Sequence, residues 1–371
     1  MSAPRPDVAV VGAGIVGAAC AEALAARGLR VEVFEARFPA SGSTGSAMGH
    51  LVVLDDSEAQ FALSSCSRAL WTERAAGLPA DVEDVPAGTL WVAADEDEMA
   101  HVRSKAAFYA ARGVAAEILD GRGLAEAEPN LRPGLAGGLR VPGDRILYPP
   151  AAARFLLGSA ARNGARLRTE EVVEVGEGFV RSAAGRTDAG AVLVAAGAAA
   201  PALLPGLRIV PKKGHLVVTD RAPGFCRHQL IELGYLKSAH GGARESVAFN
   251  LQPRATGQML LGSSRELVGF DGSVNRPLVA WMVARAGAYL PAIAALPALR
   301  TWTGFRPATD DNLPFIGRWP ALRGVWVAAG HEGLGITTSL GTGALIAALL
   351  TDAAPPIDPT PFAPDRGGPD A

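Results

Sequence analysis

Apolar and polar positions along the chain follow an order that by itself predicts an architecture. Asp7 to Val11 is a short β-branched run, as in a buried parallel strand, and Gly14 to Gly28 is Ala-rich and helical. Leu29 to Glu35 (LRVEVFE) alternates and reads as the next strand, which completes a βαβ unit. Ser57 to Ala76 then predicts a long helix with Phe61, Leu63, Leu70 and Trp71 available to its apolar face. From Val85 the texture changes: Thr89 to Ala94 is a strand, Glu96 to Ala111 a helix, and Gly123 to Glu128 a short helix stopped by Pro129. A further helix at Pro149 to Asn163 leads to strands at Ala165–Arg168, Glu171–Val175 and Ala191–Ala195.

Residues Ile209 to Leu261 are rich in strands, at Ile209–Thr219, Gln229–Leu236, Ser246–Leu251 and Gln258–Leu261. Turn residues separate them as in an antiparallel sheet. Leu278 to Leu290 is helical, and the short strand Val325–Ala328 runs through glycines into a last helix, Ile336–Leu350. No internal repeat is visible. The expected fold is α/β: a discontinuous Rossmann-like cofactor domain plus an antiparallel β-sheet substrate domain with flanking helices. Residues 1–80, 145–205 and 305–351 are assigned to the first, 81–144 and 206–304 to the second. Residues 352–371, rich in Pro, Asp and Gly, are expected to be a disordered tail.

Composition narrows the function classes. Nearly half of the 371 residues are hydrophobic and 19% are charged, enough for a packed core. A formal net charge of -2 without a long basic run offers nothing to nucleic acid. The last helix is interrupted by Thr, Ser and Gly and is too short to span a bilayer, so any membrane association is expected to be loose. Cys20, Cys66 and Cys226 lie far apart, which argues against a metal or iron–sulfur site and suits a reducing cytoplasm.

The chemistry starts at Gly12-x-Gly14-x-x-Gly17, which follows a strand and opens a helix. In a dinucleotide fingerprint the first glycine permits a tight turn, the second admits the pyrophosphate, and the third lets helix and strand pack closely. The helix start offers bare N–H groups to phosphate, and Glu35, closing the second strand, is placed to accept ribose hydroxyls. Two later segments favour FAD over NAD. Ser41 to His50 (SGSTGSAMGH) is a run of small residues suited to an extended cofactor, and Gly330–Gly335 (GHEGLG) is a second glycine-rich helix start at the far end of the chain. Its helix N-terminus suits negative charge on a reduced isoalloxazine.

Together these motifs, with VLVAAG at Val192–Gly197 and TGFRPATDDNLPFIG from Thr303, resemble the D-amino-acid oxidase superfamily over all but the tail. That superfamily includes glycine and sarcosine oxidases and D-arginine dehydrogenase. MGHLVVLDDS from Met48, NLQPR from Asn250, LGSSRE from Leu261 and Gly330–Gly341 resemble more narrowly the bacterial D-hydroxyproline dehydrogenases and the related flavin subunit of hydrogen cyanide synthase.

The resemblance implies that Gly12, Ala13, Gly14, Ile15, Gly17, Glu35, Ser43, Thr44 and Val173 contact the adenine dinucleotide. It further implies that Thr44, Gly45, Met48, Gly49 and the loop Gly333, Leu334, Gly335, Ile336, Thr337 surround the flavin, with Gly197 also at the cofactor. Arg306 matches the arginine that pairs with the substrate carboxylate, a task for a bidentate guanidinium. Read from the residues alone, it equally suits a surface ion pair. His50 aligns with an active-site histidine able to assist amine deprotonation, against a structural role in a glycine-rich segment.

Asp55 stands near an aromatic position of the D-arginine enzyme and offers a carboxylate to a ring hydroxyl; it also reads as a solvated loop acid. Tyr235, Asn250, Gln252 and Arg254 are candidates for the pocket wall, though alternation forbids all of them from facing inward. His215 and His331 read as supporting residues. The expected activity is oxidation of a C–N bond in a small, cyclic imino acid, foremost cis-4-hydroxy-D-proline, by hydride transfer to flavin N5. Glycine, sarcosine or another D-amino acid is the alternative substrate. Electrons would pass to O2, a quinone or a carrier protein, with the chain acting as a homo-oligomer or beside partner subunits.

Overall fold

The computed structural model describes residues 5–234 and 245–366. Among them, a six-stranded sheet runs in the order Phe315–Arg318, Val325–Ala329, Ala191–Val194, Val8–Val11, Val31–Glu35, Arg166–Thr169. Its pairings are parallel except at the edge, where Phe315–Arg318 folds back antiparallel on Val325–Ala329. The central strand Val8–Val11 is buried throughout, which is why it reads as an unbroken apolar run. Helices Ile15–Ala25 and Gly335–Leu350 pack against each other through small residues, and a Cβ at Gly343 would stand 2.7 Å from the Ala19 carbonyl oxygen. The last helix is therefore a core element of the cofactor half; no helix among the described residues is long and apolar enough to cross a membrane.

The second sheet has eight strands, ordered Ala298–Ala308, Val210–Arg221, Gln258–Glu266, Glu245–Pro253, Gln229–Glu232, Thr89–Ala93, Gly137–Val141, Glu117–Asp120. It is antiparallel with one exception: Gln229–Glu232 pairs parallel with Thr89–Ala93. That seam joins the two chain segments that supply the sheet, and no turn connects strands across it. One face packs Val217, Leu230, Phe249, Leu251, Met259 and Leu261 against the helix Arg276–Gly287. The opposite face meets the cofactor half.

Two expectations change. The strand carrying Arg306 continues to Ala308, so the arginine belongs to the second sheet and not to a segment beginning at 305. Residues 352–366 are not a loose tail: Phe362 is buried in the core beside Leu24 and Ile316, and Arg366 pairs with Asp311 at 2.7 Å. The Phe362 anchor, Ile357 packed on the same core and the Arg366 contacts hold a proline-rich segment whose composition points the other way.

Candidate active site

The cofactor end of the first sheet is built as the fingerprint requires. Gly12 adopts φ +110°, and a Cβ there would lie 2.6 Å from the Ala195 carbonyl oxygen. A Cβ at Gly17 would overlap the Gly12 carbonyl, so both glycines serve the turn and the helix–strand contact. Gly14 differs: its Cβ would approach only the Thr44 hydroxyl, at 3.3 Å, so its missing side chain leaves room for a ligand. The Thr44 hydroxyl accepts from the Ile15 N–H at 3.0 Å, while the helix carries neither a capping side chain nor a first-turn acid. Glu35 accepts from the Ala13 N–H at 2.9 Å and from the Ser41 hydroxyl at 3.1 Å, which places its carboxylate beside the glycine turn. These residues fit a dinucleotide. Val173 presents its side chain to solvent.

The Ser41–His50 segment lies between the two halves. The Ser43 hydroxyl donates to the Phe305 carbonyl, and Gly304 leaves space for Ser46. A Cβ at Gly45 would stand 2.5 Å from the Ala40 carbonyl, and one at Gly49 would overlap the Leu147 carbonyl, so close backbone packing explains both. Met48 is buried against Leu216 and Leu260 of the second sheet. Gly197, at φ +56°, opens the short 3-10 helix Gly197–Ala199.

His50 follows, held from both sides. Gln229 donates its amide N–H groups to the Thr89 hydroxyl and the Arg145 carbonyl, each at 3.1 Å, which turns its Oε1 toward His50 Nδ1. Nδ1 therefore carries the proton, and Nε2 keeps its lone pair facing Asn250 Nδ2 at 3.3 Å. Burial holds the imidazole below its ordinary value, partly offset by the bond to Gln229, so it is neutral at neutral pH.

Arg306 lies in the strand Ala298–Ala308. Its Nη1 donates to the Ser264 carbonyl at 3.0 Å, and its guanidinium lies over Gly214, where a Cβ would come within 2.8 Å of Cζ. Gly333 lies close to Arg306 Nε, and the Thr337 hydroxyl donates to the His50 carbonyl at 2.8 Å. The start of the last helix, with no capping side chain and no first-turn acid, thus touches both residues. Leu334 packs beside Val52, Val53 and Leu54, and Ile336 packs in the core of the cofactor half. Burial would raise the Glu332 carboxyl, but Arg306, Arg265 and Lys212 outweigh it and hold the group ionised. The surroundings are strongly cationic and suit a carboxylate.

Asp55 does not face this site as a free acid. It pairs with Lys105, a lysine buried in the helix Glu96–Ala110, whose ammonium lies 4.5 Å from the centre of the Trp91 ring. Tyr235 lies outside the described residues. Asn250 and Gln252 face the cofactor half, whereas Arg254 binds Glu83 at 2.7 Å and the Met48 and Leu147 carbonyls. His215 bonds Ser264 Oγ and the Asn275 N–H, and His331 bonds Thr342 Oγ1 at 3.0 Å, both as supports. Gln229, Gly214 and Lys105 were not foreseen. Only an isolated glutamine within an apolar strand signals the first, and nothing local signals the others. No group of three or more His, Cys, Asp or Glu among the described residues is placed to hold a metal.

Residues 7–349 match the family model described as DAO, FAD dependent oxidoreductase. The glycine oxidase of Geobacillus kaustophilus is 32% identical over 379 aligned positions, spanning 96% of each chain. The hydrogen cyanide synthase subunit HcnC of Pseudomonas aeruginosa is 28% identical, over 96% of this chain and 95% of its own. The crystal structure of glycine oxidase from Geobacillus kaustophilus superposes with a TM-score of 0.88 at 30% identity, over 98% of this chain and 99% of that one. The chain belongs to the FAD-dependent oxidoreductase family of the D-amino-acid oxidase type, and its cofactor is FAD.

Proposed function

We propose that this flavoprotein oxidises the C–N bond of a small cyclic imino acid, with cis-4-hydroxy-D-proline as the preferred substrate. The observation that carries the reading is the convergence of Arg306 and His50 on one helix start, through Gly333 and the Thr337 hydroxyl. The likeness to glycine oxidase over nearly the whole chain supports the reaction class. The MGHLVVLDDS, NLQPR and LGSSRE segments support the ring substrate.

When bound, FAD supplies the acceptor for the hydride that leaves the substrate α-carbon. Arg306 pairs with the substrate carboxylate and fixes the α-carbon, a positioning effect that contributes several kcal/mol. His50 takes the proton of the substrate amine on Nε2 once that amine displaces the Asn250 amide N–H facing it at 3.3 Å, and Gln229 keeps that nitrogen the acceptor. The uncapped helix start offers backbone N–H groups to negative charge that develops beside it. The product is an imine.

Anaerobic stopped-flow reduction tests the reading. The flavin should bleach faster with cis-4-hydroxy-D-proline than with glycine, sarcosine or D-arginine at equal concentration. Faster bleaching by glycine or an acyclic D-amino acid overturns the ring substrate. The likeness to HcnC favours a second reading, in which the chain works beside partner subunits that carry electrons away. Full turnover by the isolated chain with a dye acceptor opposes it; a co-purifying electron carrier favours it.

A further inference from the structure

We infer that Gln252, assisted by Asn250, reads a hydroxyl group on the substrate ring; this rests on the reading above. Gln252 is fully buried, yet neither its amide nitrogen nor its amide oxygen has a hydrogen-bond partner among the described residues. Asn250 spends its nitrogen on His50 Nε2, and its buried Oδ1 is likewise without a partner. Each unsatisfied buried polar atom costs about 1–3 kcal/mol, and such atoms are few in native proteins. Three of them on two neighbouring side chains call for a common ligand.

The strand supplies the direction. Asn250 and Gln252 are two positions apart and so share a face, the one that meets His50. Leu260, opposite Gln252 in the neighbouring strand, packs against Met48 in the loop that leads to His50. Gln252 is thus aimed into the space between His50 and the cofactor loop.

The chemistry of the atoms selects the ligand. A primary amide offers two donors and an acceptor, and Asn250 Oδ1 adds a second acceptor. A carboxylate would only accept and an ammonium would only donate, whereas a hydroxyl does both. Asp55, the other residue suited to a hydroxyl, is engaged by Lys105. A ring without the hydroxyl would leave these atoms unpaired, which is how a polar site rejects a deoxy analogue.

The test uses the FAD-loaded full chain with a dye acceptor. Wild-type protein should favour cis-4-hydroxy-D-proline over D-proline in kcat/KM by at least about tenfold. Gln252→Met, of similar length, should pull that ratio toward one, because the hydroxylated substrate loses far more than the plain ring. The visible flavin spectrum and FAD content should hold. A ratio kept by a folded Gln252→Met protein overturns the inference, and so does a shifted flavin spectrum, which would assign the amide to the cofactor. Should the variant not fold, the wild-type protein still decides: efficiency should fall from the hydroxyl compound to its O-methyl ether and 4-fluoro analogue. Equal turnover of all these rings sinks the inference alone, and turnover of none sinks the substrate reading itself.

Discussion

The two faces of the eight-stranded sheet are made from the same strands and do opposite work. Phe249 and Leu251 point to the helix Arg276–Gly287 and are fully buried among apolar neighbours. Asn250 and Gln252, interleaved with them, point to the cofactor half and keep unpartnered polar atoms. The first face is closed by apolar packing against that helix. On the second, Arg306, His50 and the two amides are held in place by neighbours, and the amides keep polar atoms without partners. Stability is therefore expected to reside on one face and activity on the other, separated by one residue along each strand.

The largest expected effect breaks the first face. Phe249 is fully buried and its ring stacks on Tyr289 with centroids 4.9 Å apart. Phe249→Ala should cost about 3–5 kcal/mol of stability in denaturant titration. The protein that remains folded should keep near-normal kinetics; a specific catalytic defect without loss of stability would end the division of labour. Next comes Arg306→Ala, which should lower kcat/KM by about 2–5 kcal/mol in transition-state terms while FAD content and unfolding midpoint hold. A change below about fivefold removes Arg306 as the carboxylate anchor.

His50 sharpens the comparison through pH. In the proposed mechanism it acts in its neutral form, and burial holds its value below 6.5, so the rate of flavin reduction should fall only as pH drops below that value. His50→Asn should slow reduction and erase this limb; an unaltered profile would leave His50 a packing residue. Gly214→Ala presses a methyl group onto the Arg306 guanidinium and should raise KM several-fold, by less than loss of the arginine. Unchanged KM would show that the guanidinium has another resting place.

The effect that is smallest at neutral pH belongs to His331, whose value burial lowers to about 3 and whose contribution is felt only in acid. The folded value lies below the unfolded one near 6.5, so between them the unfolded chain binds the extra proton. Stability is therefore lost as pH falls through that window, by up to about 1.4 kcal/mol per pH unit. His331→Gln should flatten the acid side of the stability profile; an unchanged slope would place the titration elsewhere.

Much of this was legible along the chain. The βαβ unit, the helix Glu58–Arg74 and the strand-rich middle follow from periods of two and of three to four, because burial on one side imposes them locally. The glycine turn was legible because its geometry and its chemistry are both set within a few residues. Asp55 was misplaced for the opposite reason: its partner Lys105 lies on a helix with no local mark of burial. The tail misled because composition reports average solvation, and one buried Phe362 with the Arg366 pair outweighs it.

By itself, then, the sequence determined the glycine turn and the mixed α/β plan, and its family resemblance supplied Arg306 and His50 as candidates. The turn depends on a motif whose physics is complete within a short segment. Only the tertiary structure decided which His50 nitrogen is unprotonated, what cradles Arg306, and which of the sheet's polar residues face the cofactor half. Gln229 and His50 lie 179 residues apart, and Asn250 and His50 lie 200 apart. Hydrogen bonds act over about 3 Å of space and take no account of separation along the chain.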